Sequence, residues 1–191
     1  ARNKKTQHQQ RFFFIYLKNL LIKMNEFILY LKIGFNHVLD FSAYDHVLFL
    51  IVLTVVFSFD QLKKVLWLIT LFTIGHSISL ALSAYGVVKV DIGIVEFLIP
   101  VTIFIPGVFN LSSAGKHTSK KENINLFFAL FFGLVHGLGF SNYFRMMIGK
   151  EEDKLMPLLE FALGIEFAQV VIVLGILLTG AILQSFFRVS K

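Results

Sequence analysis

Long apolar stretches joined by short polar links make up most of this chain, and they constrain its fold more than any other feature. A helix needs about 20 mostly apolar residues to cross a bilayer. Stretches of that kind lie at 65–86, 92–112, 124–148 and 156–187. A shorter apolar stretch at 44–59 would gain length by extending backward toward Phe35.

The composition argues against a soluble fold. Of the 191 residues, 56% are hydrophobic and 16% are charged, whereas a typical soluble domain carries about 25% charged residues. A soluble domain of this size has too little interior to hide so much apolar surface. The sequence therefore predicts an all-α fold, a polytopic membrane helix bundle with five to six transmembrane helices whose partner is the lipid bilayer.

The number of spans depends on residues 12–34, where lysines, asparagines and a glutamate interrupt an apolar background. Such a segment either lies in the interface as an amphipathic helix or spans the membrane with its lysines reaching out to water. We expect a basic N-terminal segment with this amphipathic or membrane helix at 1–34, and a transmembrane bundle at 35–188. Met24 is a candidate start, which would make residues 1–23 non-native.

Basic residues are concentrated in three regions that five spans would place on one side of the membrane. They are Lys63, Lys64, Lys116, Lys120, Lys121, Arg188 and Lys191. The positive-inside rule makes that side cytoplasmic, so we expect a protein of the bacterial inner membrane with a cytoplasmic C-terminus. The net charge of +6 has the same origin, and we expect no nucleic-acid partner. A homo-oligomer is left open.

Ionisable residues lie inside or beside several spans, although an Asp, Lys or Arg costs about 2.5–3.5 kcal/mol at the centre of a membrane helix. They are His37, Asp40, Asp45, His46, His76, Glu96, His136, Glu160 and Glu166. Counting from the polar links at about 1.5 Å per residue places His76, His136 and Glu166 near the midplane. Several such residues at one depth, on different helices, predict a shared site.

A divalent metal is the ligand that best fits this set. Imidazole suits zinc, copper, iron and nickel, and a carboxylate adds neutralising charge. The chain has no cysteine, so thiolate ligands are excluded. Asp45 and His46 are adjacent, so one of them could orient the other. Two other interpretations remain open, a network of interhelical hydrogen bonds without a ligand and a pathway for protons or ions.

Two further features accompany these polar residues. Glycines at 75, 133, 137 and 139 flank His76 and His136, and small residues at such spacing allow helices to approach closely. Glu166 and Gln169 share one face of the last span, and Asn110 continues a polar stripe on the third. We therefore expect Asp40, Glu96, Asn110 and Gln169 to support the site or line a pathway.

Four motifs resemble those of the HupE/UreJ family of membrane proteins, over residues 31–178. They are HVLDFSAYDHVLFL from His37, FTIGHSISLAL from Phe72, VHGLGF from Val135 and FALGIEFAQ from Phe161. Their order and spacing agree with the family. The wide separation of His37 and Asp45, and the absence of a second histidine after His136, are more similar to the UreJ-type branch than to the nickel-permease branch.

The resemblance implies a membrane transport protein, related to nickel and cobalt permeases, that binds a divalent transition metal. The residues that we expect in the metal site are His37, Asp45, His46, His76, His136 and Glu166. The alternatives are a non-transporting accessory protein for a metalloenzyme and an intramembrane metal-dependent hydrolase. We expect no enzyme, because the chain has neither an HExxH run nor a GxSxG elbow.

Overall fold

The protein is built from six α-helices, seen in a computed structural model that describes residues 2–40, 44–112, 119–149 and 153–187. The helices are α1 (Arg2–Leu39), α2 (Asp45–Thr54), α3 (Leu62–Ala84), α4 (Ile92–Ser112), α5 (Ser119–Ile148) and α6 (Leu155–Phe187). A single 3₁₀ turn, Phe59–Gln61, precedes α3. The described residues contain no strand, which confirms the all-α prediction.

Four helices, α3 to α6, are long and apolar enough to cross a membrane. This confirms an integral membrane bundle in contact with lipid. The stretch at 44–59 behaves differently, because its helix ends at Thr54 after ten residues. Ten residues rise only about 15 Å, so α2 crosses about half a bilayer. The backward extension toward Phe35 is wrong, because residues 35–39 belong to α1.

Helix α1 is continuous across residue 34 and carries two distinct surfaces. From Phe13 to Leu29 most of its side chains are exposed, whereas Tyr30, Gly34 and Val38 are buried. The buried part packs on α6 at a crossing of two glycines. A Cβ on Gly34 would collide with the carbonyl oxygen of Phe161, and a Cβ on Gly164 would collide with that of Leu31. Glycine is therefore required on both helices at this contact.

Together, α1 and α2 cover the length of α6. Lys23, Glu26 and Tyr30 share a pocket with the first residues of α6, and Thr54 lines another with Ile176 and Leu177 near its other end. The chain therefore runs alongside α6 as two successive helices, first α1 and then α2. The interruption between Leu39 and Asp45 includes residues 41–43, which lie outside the described part of the chain.

Helices α3 and α5 share the most extensive contact in the described bundle. A Cβ on Gly75 would meet the backbone of Leu130, and one on Gly133 would meet the backbone of Phe72. Gly137 lies equally close to the carbonyl oxygen of His76. The predicted close packing at these three glycines is confirmed. It brings His76 and His136 to facing positions.

Candidate metal centre

Four helices bring their histidines together in the interior of the bundle. His37 lies in the last turn of α1, His46 in the first turn of α2, His76 within α3 and His136 within α5. The ring centroids of His37 and His46 are 4.7 Å apart, and those of His46 and His136 are 4.3 Å apart. His76 lies 5.9 Å from His37 by the same measure. These four side chains form what we call the histidine cluster.

Asp45 links two members of the cluster. Its Oδ1 lies 3.1 Å from His46 Nδ1 and accepts the backbone N–H of His46 at 2.8 Å. Its Oδ2 lies 3.0 Å from His136 Nε2. The carboxylate thus fixes the orientation of the His46 ring, as carboxylates commonly do for ligating histidines.

Several imidazole nitrogens of the cluster are buried without a hydrogen-bond partner among the described residues. They are Nε2 of His37, Nε2 of His46 and both ring nitrogens of His76, whose side chain is 0% exposed. Buried polar side-chain atoms are nearly always hydrogen-bonded, and exceptions call for an explanation such as a bound ion. A neutral imidazole offers one lone pair for a metal, so the nitrogens fit that role.

Two sets of three ligands arise within the described residues, and they share His46. One is His37, His46 and His76, and the other is Asp45, His46 and His136; in each set the ligand atoms lie within 4.8 Å of one another. Ligand atoms about 2.1 Å from a common metal are roughly 3–4 Å apart. Small side-chain rotations would therefore bring either set to coordinating distance.

The surroundings of the cluster are aromatic. The ring centroid of Phe140 lies 3.9 Å from that of His37, and Phe132 lies 4.2 Å from His136. Phe72 and Phe161 complete the wall beside His46 and His76. An apolar shell limits access of water and strengthens electrostatic interactions inside it. The C-terminal end of α1, next to His37, adds the partial negative charge of a helix terminus.

A sequence model of the family described as HupE / UreJ protein matches residues 15–190. The chain belongs to the HupE/UreJ family. This confirms the resemblance carried by the four motifs, and the family is associated with nickel and cobalt handling. Comparisons with curated proteins and with solved structures gave no match.

In this HupE/UreJ protein, three motifs supply the cluster: the first gives His37, Asp45 and His46, the second His76 and the third His136. The fourth motif supplies Glu166, which the structure places apart from both ligand sets. Its carboxylate accepts hydrogen bonds from Thr70, at 2.6 Å, and from Thr73. Counting residues located its depth, but not the face of α3 that it meets.

The four supporting residues have separate positions. Asn110 Nδ2 donates to the carbonyl oxygen of Val52 at 2.9 Å, which ties α4 to α2. Gln169 is fully buried, with Oε1 3.1 Å from Thr73 Oγ1. Glu96 is exposed on α4, and Asp40 is exposed just beyond α1. Asn110 and Gln169 thus contact the helices that carry the cluster.

Sequence reasoning missed the two threonines that contact Glu166. Thr70 and Thr73 lie three residues apart on α3, so they share a face with each other. Thr73 is also three residues from His76. Threonine is common in apolar helices, where its hydroxyl bonds to the backbone of its own helix. The spacing of these two threonines therefore did not indicate a contact with a carboxylate.

Proposed function

We propose that this protein is a membrane transport protein whose substrate is a divalent transition metal, nickel or cobalt, bound in the histidine cluster. The observation that carries the proposal is the set of buried imidazole nitrogens at His37, His46 and His76 that have no hydrogen-bond partner among the described residues. Burying a polar group without a partner costs about 1–3 kcal/mol in proteins. A bound cation would offset that cost at several residues at once.

The donor set fits a borderline transition metal. Four imidazoles and one carboxylate suit nickel, cobalt, zinc, copper and iron, while magnesium and calcium prefer oxygen ligands throughout. We propose His37, His46, His76 and His136 as ligands, and Asp45 as the carboxylate that orients His46 and supplies negative charge. Glu166 lies at a separate position on α6, where its carboxylate accepts hydrogen bonds from Thr70 and Thr73. Affinity alone would favour copper, so nickel or cobalt selectivity depends on geometry and supply.

The proposed route starts at Asp45, which contacts the histidine cluster and whose side chain is 27% exposed. We propose that the ion arrives there from the non-cytoplasmic side and passes to the fully buried His76. The basic links make the opposite side cytoplasmic, so the protein would lie in a bacterial inner membrane with its C-terminus inside. Release to that side requires a movement of the bundle.

Interrupted membrane helices favour transport over simple binding. Secondary transporters commonly place their substrate near the midplane, where helices break and expose their ends. Here the break between α1 and α2 adjoins the cluster, because His37 lies in the last turn of α1 and His46 in the first turn of α2. A non-transporting accessory protein for a metalloenzyme would not need that interruption, and it remains the second candidate function. A metal-dependent hydrolase is the least favoured.

Metal uptake into sealed vesicles separates the two leading functions. Purified protein in liposomes should accumulate nickel or cobalt inside the vesicles, and His46→Ala should abolish the uptake. Protein that binds one ion per chain in detergent but moves none across the bilayer would support the accessory role instead. A well-folded sample that binds no transition metal would contradict both the transport function and the accessory function.

A further inference from the structure

A second polar cluster lies between α3 and α6, about one helical turn from His76. Both carboxylate oxygens of Glu166 are held there, Oε1 by Thr70 Oγ1 at 2.6 Å and Oε2 by Thr73 Oγ1. Gln169 Oε1 lies 3.1 Å from Thr73 Oγ1. Five side-chain oxygens from four residues therefore converge, and none of these residues belongs to the two imidazole ligand sets.

The oxygens in this cluster outnumber the hydrogens available to them. Each threonine hydroxyl carries one proton, yet each also lies near a backbone carbonyl oxygen, that of Leu66 at 3.0 Å for Thr70 and that of Ile69 at 3.1 Å for Thr73. Two protons thus face two backbone oxygens and the two oxygens of Glu166. A cluster with this surplus of lone pairs is suited to a cation.

The negative charge of Glu166 also favours a bound cation. Its hydrogen-bond partners in the described part of the chain are the two threonines, and no lysine or arginine pairs with it there. Gln169 is 0% exposed, and its Nε2 has no partner among the described residues. Turning the Gln169 amide would let Nε2 donate to Thr73, but no cation among the described residues would balance the charge of the half-buried Glu166 carboxylate.

We propose that Glu166, Thr70, Thr73 and Gln169 form a second cation site, selective for a small monovalent ion with sodium as its physiological occupant. Carboxylate, hydroxyl and amide oxygens are hard ligands, in contrast to the imidazoles of the histidine cluster. One carboxylate neutralises one positive charge, which matters within a membrane. Magnesium would bring a second charge and a demand for octahedral ligands that keep several waters.

The position of this site suggests its use, and that step rests on the proposed transport function. Thr73 precedes His76 by three residues, so the two sites lie about 4.5 Å apart along α3. Transporters place coupling-ion sites near the midplane beside the substrate. A sodium ion that holds α3 against α6 would therefore bias the packing of the helix that carries His76.

The test measures sodium binding in the absence of transition metals. Detergent-purified full-length protein is titrated with radioactive sodium, with choline chloride holding the ionic strength constant. We expect about one sodium per chain. Glu166→Gln and Thr73→Val should weaken binding about tenfold or more, since the first removes the negative charge and the second removes a hydroxyl ligand. Thr73→Ser, which keeps the hydroxyl, should restore it, and Asp60→Asn, which alters an exposed carboxylate outside the proposed sites, should change nothing.

One variant separates this site from the proposed transport function. His46→Ala should lose nickel binding but keep sodium binding, so failure of either site leaves the other measurable. The proposal is overturned if folded wild-type protein binds no sodium, or if Thr73→Val binds it as well as Thr73→Ser does. It is also overturned if thermal stability responds to pH but not to sodium and this response disappears in Glu166→Gln, because the cluster would then hold a proton.

Discussion

Asp45 Oδ2 lies 3.0 Å from His136 Nε2, and this contact joins the first turn of α2 to the middle of α5. The same carboxylate holds the His46 ring through its other oxygen. Asp45 therefore acts on two proposed ligands at once, His46 on α2 and His136 on α5. A change at this residue should affect metal binding more than folding.

Replacing Asp45 by asparagine keeps the shape of the side chain and removes its charge. Loss of such an orienting carboxylate typically costs 10–100-fold in metal affinity, so Asp45→Asn should weaken nickel binding by about that factor. Calorimetric titration of the detergent-purified protein measures the change. Asp60→Asn, at an exposed carboxylate that accepts a hydrogen bond from Ser58, should bind as wild type does. Equal affinities for the two variants would contradict the role given to Asp45.

Gly133 sits where α5 meets the backbone of Phe72 on α3. A methyl group there forces the two helices apart, and overpacking of this kind costs about 1–3 kcal/mol. Gly133→Ala should therefore lower the thermal unfolding temperature, measured by circular dichroism in detergent. Gly175→Ala is the matched control, because nothing lies within 4 Å of a Cβ at that position. The close approach of α3 and α5 would be in doubt if Gly133→Ala were as stable as the control.

Asn110 on α4 contacts α2, because its side-chain amide donates a hydrogen bond to the carbonyl oxygen of Val52. Asn110→Leu keeps the approximate volume but removes a bond worth about 1 kcal/mol. We expect faster amide hydrogen exchange in α2, with exchange in α3 and α5 unchanged. Ser112→Ala, which removes an exposed hydroxyl bonded within α4, should leave α2 unaffected. Unaltered exchange in α2 would show that other contacts position it.

The long helices could be predicted because length and apolar character report directly on membrane spans. Glycines next to His76 and His136 likewise revealed the α3–α5 contact, since close approach demands small residues. The end of α2 at Thr54 could not be predicted in the same way. Hydropathy continues to Phe59, and it records whether a residue is apolar but not whether its backbone is helical.

The sequence predicted how deep the site residues lie in the membrane, but not which neighbouring helix each side chain faces. Residue counts from the polar links placed His76, His136 and Glu166 at similar heights, and two of the three do meet in the cluster. Glu166 faces Thr70 and Thr73 instead, because the rotation of α6 is set by its packing against both α1 and α3. That rotation depends on contacts between distant parts of the chain, which one sequence does not reveal.

The most direct measurement is the stoichiometry and affinity of nickel and cobalt binding to the detergent-purified protein, with His76→Ala beside the wild type. His117→Ala, in the polar link that follows α4, serves as the control. Our account predicts about one tightly bound ion per chain in the wild type and in the control, and a loss of about tenfold or more in affinity for His76→Ala with its helix content unchanged. Equal binding by all three proteins, or no binding by a well-folded wild type, would contradict a metal site in the histidine cluster.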